Sequence, residues 1–372
     1  MPAAADRCKA RIAVGAMRSS LKTQSESAQK PWNGAISIVE QPTREPACER
    51  TLPRMRTSVV AAACFTVLAA VAVAQQFPLR QNVEVLTEAP MRPIKVKDGL
   101  YIIRGPAMPC MTGCRAGDKG DGLIHESGDV AVRVTTDGLI VVDDKFASQA
   151  AAVFAQVKKV SPLPVKYVLN THHHADHASG NVYARDTFGV NIIAQKNIRA
   201  NFLRIKQPGE PNITFGNEAQ VYLGGVEVRL HWFGRAHTNG DTVIEFPDLK
   251  TIHTGDIIID AIPVIDYPGG GSAIEFLTTI DRMLTLDFDT AILGHGRTMT
   301  KKEVRDYRMR FAEMNRRMKA LIDRGVTKDR LKTWEQARAA LKLEELGWEN
   351  TVSWTTFFAG FPAYFDEIAA SK

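Results

Sequence analysis

Apolar and polar positions along residues 93–300 fall into short alternating and helical runs separated by turn residues, the pattern of interleaved strands and helices. Residues 93–104, with Ile94, Val96, Leu100, Tyr101 and Ile103, predict two short strands about the turn Lys97-Asp98-Gly99. Residues 129–136 and 139–143 flank Asp137-Gly138, which is a hairpin signature. Residues 147–160 predict a helix with Ala150, Phe154 and Val157 on one face, and 164–170 a short buried strand. A helix over 180–188, a strand over 190–194 and a helix over 196–205 follow, so the alternation places the chain in the layered α/β class.

A second strand-rich block comes next, with strands in 220–233 about Gly224-Gly225, then 242–246 and 250–253. Residues 273–286 predict a helix, 290–293 a strand and 301–323 a long helix with charged faces. Its Lys301, Lys302, Arg305, Arg308 and Arg310 fit a solvated face better than an anion site. Trp334, Trp348, Trp354, Phe357, Phe358 and Phe361 in the tail read as the core of a C-terminal helical unit, ahead of a membrane or dimer contact. Two stretches resist regular structure. Residues 105–128 hold six glycines with Cys110 and Cys114, and 260–272 hold Tyr267 and Gly269-Gly270-Gly271. The second of these reads as a flexible loop, and loops on a rigid scaffold commonly carry substrate selection.

The N-terminus is unlike the rest. Residues 1–54 are rich in Ala, Ser, Gln, Pro and Arg without apolar periodicity; then Met55-Arg56 leads into an uncharged run over 59–74. That run is shorter than the ~20 residues of a membrane-spanning helix and ends Ala72-Val73-Ala74, so 55–74 reads as a signal peptide with cleavage before Gln75. On this reading translation starts at Met55 and residues 1–54 are a mis-assigned or disordered start; the alternative is a retained single-pass anchor with a cytoplasmic tail. The expected location is periplasmic or secreted, without stable membrane contact unless 59–74 is retained. Removing residues 1–74 takes away ten basic and five acidic residues, and the net charge of +6 falls to +1. A near-neutral body lacks the basic stripe that nucleic acid calls for, and the expected partner is a small-molecule substrate; the oligomeric state is left open. The remaining 298 residues are enough for one hydrophobic core with C-terminal helices.

Of five cysteines only Cys110 and Cys114 remain after that cleavage, and two cysteines in an oxidising compartment usually pair. A disulfide is the favoured reading. A metal or redox pair is the rival, against which stand the lack of a further cysteine and a spacing that is not Cys-x-x-Cys.

Candidate chemistry concentrates in Asn170-Thr171-His172-His173-His174-Ala175-Asp176-His177-Ala178-Ser179-Gly180, at the end of the 164–170 strand. Side chains two apart on an extended segment point the same way, so His172 and His174 can reach one metal ion, while Asp176 and His177 on the following turn can reach a second. Imidazole nitrogen and carboxylate oxygen are ligands that Zn²⁺ and similar first-row ions accept.

The pattern His172-x-His174-x-Asp176-His177 resembles the signature of the metallo-β-lactamase superfamily. Gly234-Arg235-Ala236-His237-Thr238-Asn239-Gly240, Thr254-Gly255-Asp256 and Gly294-His295-Gly296 resemble its later motifs, in the same order, and the resemblance covers roughly residues 82–300. It implies a four-layer αβ/βα sandwich with the site along one edge, residues 301–372 forming a C-terminal helical packing segment, and a mobile hairpin at 105–128 that a disulfide would stiffen. It also implies a metal set in which His172, His174 and His237 hold one ion, Asp176, His177 and His295 a second, and Asp256 bridges them. Asp176 is the candidate catalytic side chain, and Asp143 is more an orderer of the metal loop than a ligand. His125, His173, His231 and His253 are read as ordinary structural or surface histidines.

Two close cations acidify a shared water and clamp the incoming and polarised oxygens. The implied activity is therefore hydrolysis of an ester, thioester, lactone or amide carbonyl with two Zn²⁺, with Fe or Mn as alternatives. Aspartate at 256 is similar to glyoxalase II-like and lactonase-like members, whereas many lactamases carry cysteine or serine there; Ile259 stands where some lactamases place a lysine. Both departures disfavour an antibiotic lactamase. Two further alternatives are a non-haem iron enzyme like the persulfide dioxygenases, which needs fewer ligands, and a non-catalytic binding protein, which the full ligand set argues against.

Overall fold

A computed structural model describes residues 91–105, 107–109, 123–125, 127–348 and 354–371. The 1–54 and 55–74 segments, with Cys110 and Cys114, lie outside the described residues, as do the side chains of His125, Trp354, Phe357 and Phe358.

Strands β1 (Arg92–Lys97) and β2 (Leu100–Arg104) pair antiparallel about the expected turn. Strands β3 (Ala107–Pro109) and β4 (Leu123–His125) pair with each other at the two ends of the glycine-rich stretch, which corrects the expectation that this stretch holds no regular element. The hairpin β5 (Val130–Val134) and β6 (Leu139–Val142) turns through Gly138, whose φ of +151° and close approach to Lys166 and Pro164 exclude a side chain. Strands β7 (Val165–Leu169), β8 (Asn191–Gln195) and β9 (Ile213–Phe215) then add in parallel, giving the order β1-β2-β5-β6-β7-β8-β9.

Helices α1 (Ala150–Val160), the single turn α2 (Ala175–Ala178), α3 (Asn181–Phe188) and α4 (Lys196–Ile205) connect these strands. Period-two alternation sorts each strand's side chains between two cores. Ile103, Val132, Val141 and Val168 face α1 and α3, where Val153, Phe154, Val157 and Ala184 meet them. Ile102, Ala131, Val142 and Leu169 face the other way, onto the second sheet.

That second sheet runs β10 (Glu218–Leu223), β11 (Val226–His231), β12 (Val243–Phe246), β13 (Thr251–His253), β14 (Thr290–Ile292) and β15 (Met299–Thr300) in spatial order. Val228, Leu230, Ile244, Phe246 and Ile292 close the inter-sheet core. Its outer face is covered by α5 (Ala273–Met283), α6 (Lys301–Asp323), α7 (Trp334–Leu341) and α8 (Trp354–Ala370). Phe276, Ile280, Phe311, Met314, Trp334, Trp348, Phe361 and Tyr364 join there with Val243 and Ile252 in one continuous cluster. The layers are therefore helix, sheet, sheet, helix, the expected four-layer α/β sandwich, and the C-terminal helices share the core of the second sheet.

In the basic run of α6, Lys302 and Arg305 are exposed, while Arg308 pairs with Asp281 and Arg310 lies over Trp348. No helix among the described residues is long and apolar enough to cross a membrane.

Candidate metal centre

All the motif residues gather at one edge of the sandwich, where the ends of β7, β11, β13 and β14 open toward each other. His172 lies in a bend that follows β7 rather than in an extended run, His174 is extended just ahead of α2, and the single turn of α2 presents Asp176 and His177. His237 follows β11, Asp256 sits in a 3-10 turn after β13, and His295 follows β14.

The donors form two groups. Ligand atoms of His172, His174, His237 and Asp256 lie within 4.8 Å of one another, as do those of Asp176, His177 and His295. Asp256 stands between the groups: Oδ1 is 3.2 Å from His177 Nε2, and Oδ2 is 3.5 Å from His295 Nε2, 3.7 Å from His237 Nε2 and 3.9 Å from His172 Nε2. Asp176 Oδ2 lies 3.2 Å from His295 Nε2 and 3.6 Å from His177 Nε2. Both groups have an open side, the His174 side chain being 30% exposed in the first and those of Asp176 and His295 22% and 25% in the second, while His172 and His177 are sealed.

The outward nitrogens decide what the inward ones can do. His237 Nδ1 donates to the Val264 carbonyl at 2.8 Å, and His174 Nε2 donates to Asp266 Oδ2 at 2.9 Å. In the neutral tautomer that leaves His237 Nε2 and His174 Nδ1 as bare lone pairs facing each other at 3.0 Å. The Thr171 hydroxyl gives its proton to Asp143 Oδ2 and accepts from His172 Nδ1 at 3.1 Å, so His172 Nε2 is also bare. His177 Nδ1 donates to Asp143 Oδ2 at 2.8 Å, and His177 Nε2 faces His295 Nε2 at 3.2 Å. His172 Nε2 and Asp256 Oδ1 are buried without a hydrogen-bond partner. Converging lone pairs and orphaned buried acceptors are what a cation resolves, so the residues fit a metal site.

Electrostatics separate the two groups. Burial drives His172 well below the ordinary imidazole range, with His177 adding to it, and takes His237 down to about 4 with His174 adding to it. Burial also opposes charge on His177 and His295, but Asp256 and Asp176 outweigh it, raising His177 well above 6.5 and His295 to about 10. Burial pushes Asp176 up, yet His177 and His295 hold it at about 2. His172 and His237 are thus uncharged at neutral pH, while His177 and His295 hold protons that a metal ion would displace.

Residues 130–295 match the model of the metallo-beta-lactamase superfamily. That stretch is under half of the chain, and the likeness to this superfamily's model is carried by it alone. Hydroxyacylglutathione hydrolase of Brucella anthropi is 29% identical over 154 residues, which is 41% of this chain and 55% of that protein. The Brucella ovis hydroxyacylglutathione hydrolase is 29% identical over 187 residues, 50% of this chain and 64% of that protein. The match therefore spans less than two thirds of these curated relatives. Among solved structures, the metallo-beta-lactamase FIM-1 from Pseudomonas aeruginosa in its mono-zinc form superposes with a TM-score of 0.50 at 16% identity, over 61% of this chain and 96% of that one, a likeness of fold.

Several residues that shape this centre carry no sequence signal for that role. Asp266 serves two histidines, lying 3.6 Å from His173 Nε2 as well as against His174. His173, expected to be an ordinary histidine, thus borders the site, and burial lowers its pKa to about 3. Asn201 on α4 donates to Asn239 at 2.9 Å and to the Gly269 carbonyl at 3.4 Å, joining the loops around it. His231 pairs with Glu245 and stacks on Phe233, and His253 bonds the Asp129 carbonyl, so both are structural as expected. The 260–272 segment, expected to be a flexible loop, is strapped down: Asp266 N donates to His237 O, Ser272 N to Ala236 O, and Asn239 N to Gly269 O.

Proposed function

We propose that the chain is a dinuclear metal-dependent hydrolase that attacks an ester, thioester, lactone or amide carbonyl. The observation that carries this reading is the placement of Asp256 between two converging donor groups, with an oxygen toward each. His172, His174 and His237 would hold one ion and Asp176, His177 and His295 the other. When bound, two such ions supply an acidified water and a polarised carbonyl oxygen; zinc suits this set of imidazoles and carboxylates.

The chain's own residues set the conditions for that chemistry. Asp143, Thr171, Val264 and Asp266 hold the outward nitrogens, so the inward nitrogens of His172, His174 and His237 are acceptors and the His177 ring is fixed in its orientation. Asp176 is ionised and partly open to solvent, which supports reading it as the side chain that meets a substrate entering from that side. Ile259, buried at 5% exposure, offers no cation to a substrate carboxylate, which argues against a lactam antibiotic as the favoured substrate. The curated relatives named hydroxyacylglutathione hydrolases support placing a thioester first among the candidates.

The test is metal analysis of the purified full chain followed by assay against a hydroxyacyl thioester, a lactone and a β-lactam. About two metal ions per chain are expected, with turnover lost to a chelator and restored by zinc. Turnover indifferent to chelation, or a loaded protein that consumes oxygen and hydrolyses none of the three, overturns the reading.

A further inference from the structure

The 260–272 segment addresses two of the three rings in the first histidine group. Its Val264 carbonyl takes the proton of His237 Nδ1, and its Asp266 carboxylate that of His174 Nε2. Asp266 is itself held by the Gly269 amide on Oδ1 at 3.0 Å. Whatever fixes this segment therefore fixes how His174 and His237 are aimed.

One face of α8 does so from the far end of the sequence. Residues 360, 364 and 367 recur at four and three positions and so share a side of the helix. At Gly360 the helix comes so near the segment that a Cβ would stand 3.2 Å from the Ile265 carbonyl and 3.8 Å from the Tyr267 ring. Tyr364 donates to Asn315 Oδ1 at 2.9 Å, and Asn315 in turn donates to the Ala273 carbonyl at 3.2 Å. Glu367 accepts from the Tyr267 hydroxyl at 2.7 Å, from the Ala273 amide at 2.8 Å and from the Ser272 hydroxyl.

Capping of α5 does not account for this carboxylate. Ser272 already caps that helix by accepting from the Glu275 amide at 3.1 Å. The Tyr267 hydroxyl belongs to the segment upstream of the helix, one residue from Asp266. Hydrogen bonds to a charged acceptor are also about twice as strong as neutral ones, which suits a clamp rather than a passive contact.

We propose that Glu367 is a positioning residue for the first metal-binding group, acting through Tyr267 and the 260–272 segment on Asp266 and His174. The C-terminal helix is on this view a working part of the centre. The inference rests on the metal-binding reading above.

Cobalt(II) titration of the full chain tests it, because visible absorption reports ligand geometry and needs no turnover. Outer partners of metal-bound histidines typically contribute 10- to 100-fold in metal affinity; Glu367→Ala, one step further out, should weaken the tighter cobalt site about tenfold and shift its absorption band. Glu367→Gln, which keeps one acceptor oxygen, should fall between that variant and the parent. Tyr267→Phe removes a single hydroxyl, keeps the helix cap intact, and should shift the same band in the same direction. A purely structural role predicts a lower melting temperature in Glu367→Ala with cobalt affinity and spectrum unchanged in both Glu367→Ala and Tyr267→Phe, and that result overturns the proposal. A parent chain that takes up no cobalt overturns the metal reading itself, and this inference with it.

Discussion

Asp143 Oδ2 stands 2.8 Å from His177 Nδ1, and the same oxygen takes the Thr171 hydroxyl proton at 2.7 Å. One buried carboxylate therefore orients a ring in each group, His177 directly and His172 through Thr171. It does so from a left-handed backbone, φ +60°, which aspartate tolerates better than most residues. Its Oδ1 also accepts the Thr171 amide at 2.8 Å, tying the end of β6 to the metal loop.

Asp143→Asn should accordingly disturb both groups at once. The amide presents a donor where Oδ1 or Oδ2 now accepts, so the Thr171 and His177 bonds cannot both survive. Metal affinity measured by competition with a chromophoric chelator is expected to fall roughly 10- to 100-fold. Unchanged affinity for both ions would show that the rings are held by other means.

Asp256→Asn should bind close to one metal per chain and lose most hydrolysis, because the amide nitrogen is no ligand and the charge shared between the groups is gone. His172, His174 and His237 keep the first ion. Metal stoichiometry after dialysis, read beside turnover, checks this; two tightly held ions with near-normal turnover would remove Asp256 from its bridging role.

Glycine is required at two contacts with the centre. A Cβ on Gly128 would run into the His177 ring, and one on Gly294 into Asp256 Oδ1. Gly294→Ala and Gly128→Ala should each lower the melting temperature and lose metal from the second group. Gly216 has open space around it and serves as the control, with Gly216→Ala expected to melt like the parent. Equal melting and full metal content in all three would contradict the crowding seen here.

Lys145 is fully buried, and its Nζ donates to the Gly128 carbonyl at 2.6 Å and the Ser127 carbonyl at 3.3 Å. Burial lowers its pKa to about 8, against the opposing pull of Asp129 and Asp176. A folded-state pKa below the unfolded value contributes stability that is present above the unfolded pKa of 10.5 and lost as pH falls through about 8. The stability of the parent relative to Lys145→Met should therefore rise between those limits, by roughly 3 kcal/mol at most. Urea unfolding of both proteins at about pH 8 and about pH 10 measures it, and a gap that stays constant or narrows toward high pH contradicts the assignment.

Export remains an expectation of the 59–74 run and Ala72-Val73-Ala74. Protein recovered from its native host should begin near Gln75, with no free thiol at Cys110 or Cys114. A mature species retaining Pro2, or two titratable thiols, would count against these readings separately.

What could be read from sequence was what is local. Lys97-Asp98-Gly99 and Asp137-Gly138 mark their hairpins because a turn is decided by its own few residues. The histidine motifs were legible for the same reason, each donor lying within a short segment at a strand end. Strand β9 was not, since Ile213–Phe215 is three residues long and mostly exposed, and pairs with β8 without an apolar pattern of its own. Asp266 was invisible as a partner of His174, because in sequence it is simply an aspartate ahead of a Pro268-Gly269 turn. Its partner lies 92 positions away, as distant as Glu367 is from Ala273 at 94. No local propensity encodes such pairings.

The two sheets are also joined at this edge by hydrogen bonds to backbone carbonyls. Asp129 at the start of β5 gives its amide to the Gly294 carbonyl at 2.8 Å and takes His253 Nε2 on its own carbonyl at 3.0 Å, while the donors on either side come from different sheets. A metal ion held here would brace one sheet against the other, because its donors come from both. Ligand present at about a hundred times its dissociation constant stabilises a folded state by about 2.7 kcal/mol per site. On the proposed reading the melting temperature would follow the free metal of the solution as well as the chain, and metal depletion would loosen the sandwich along this seam.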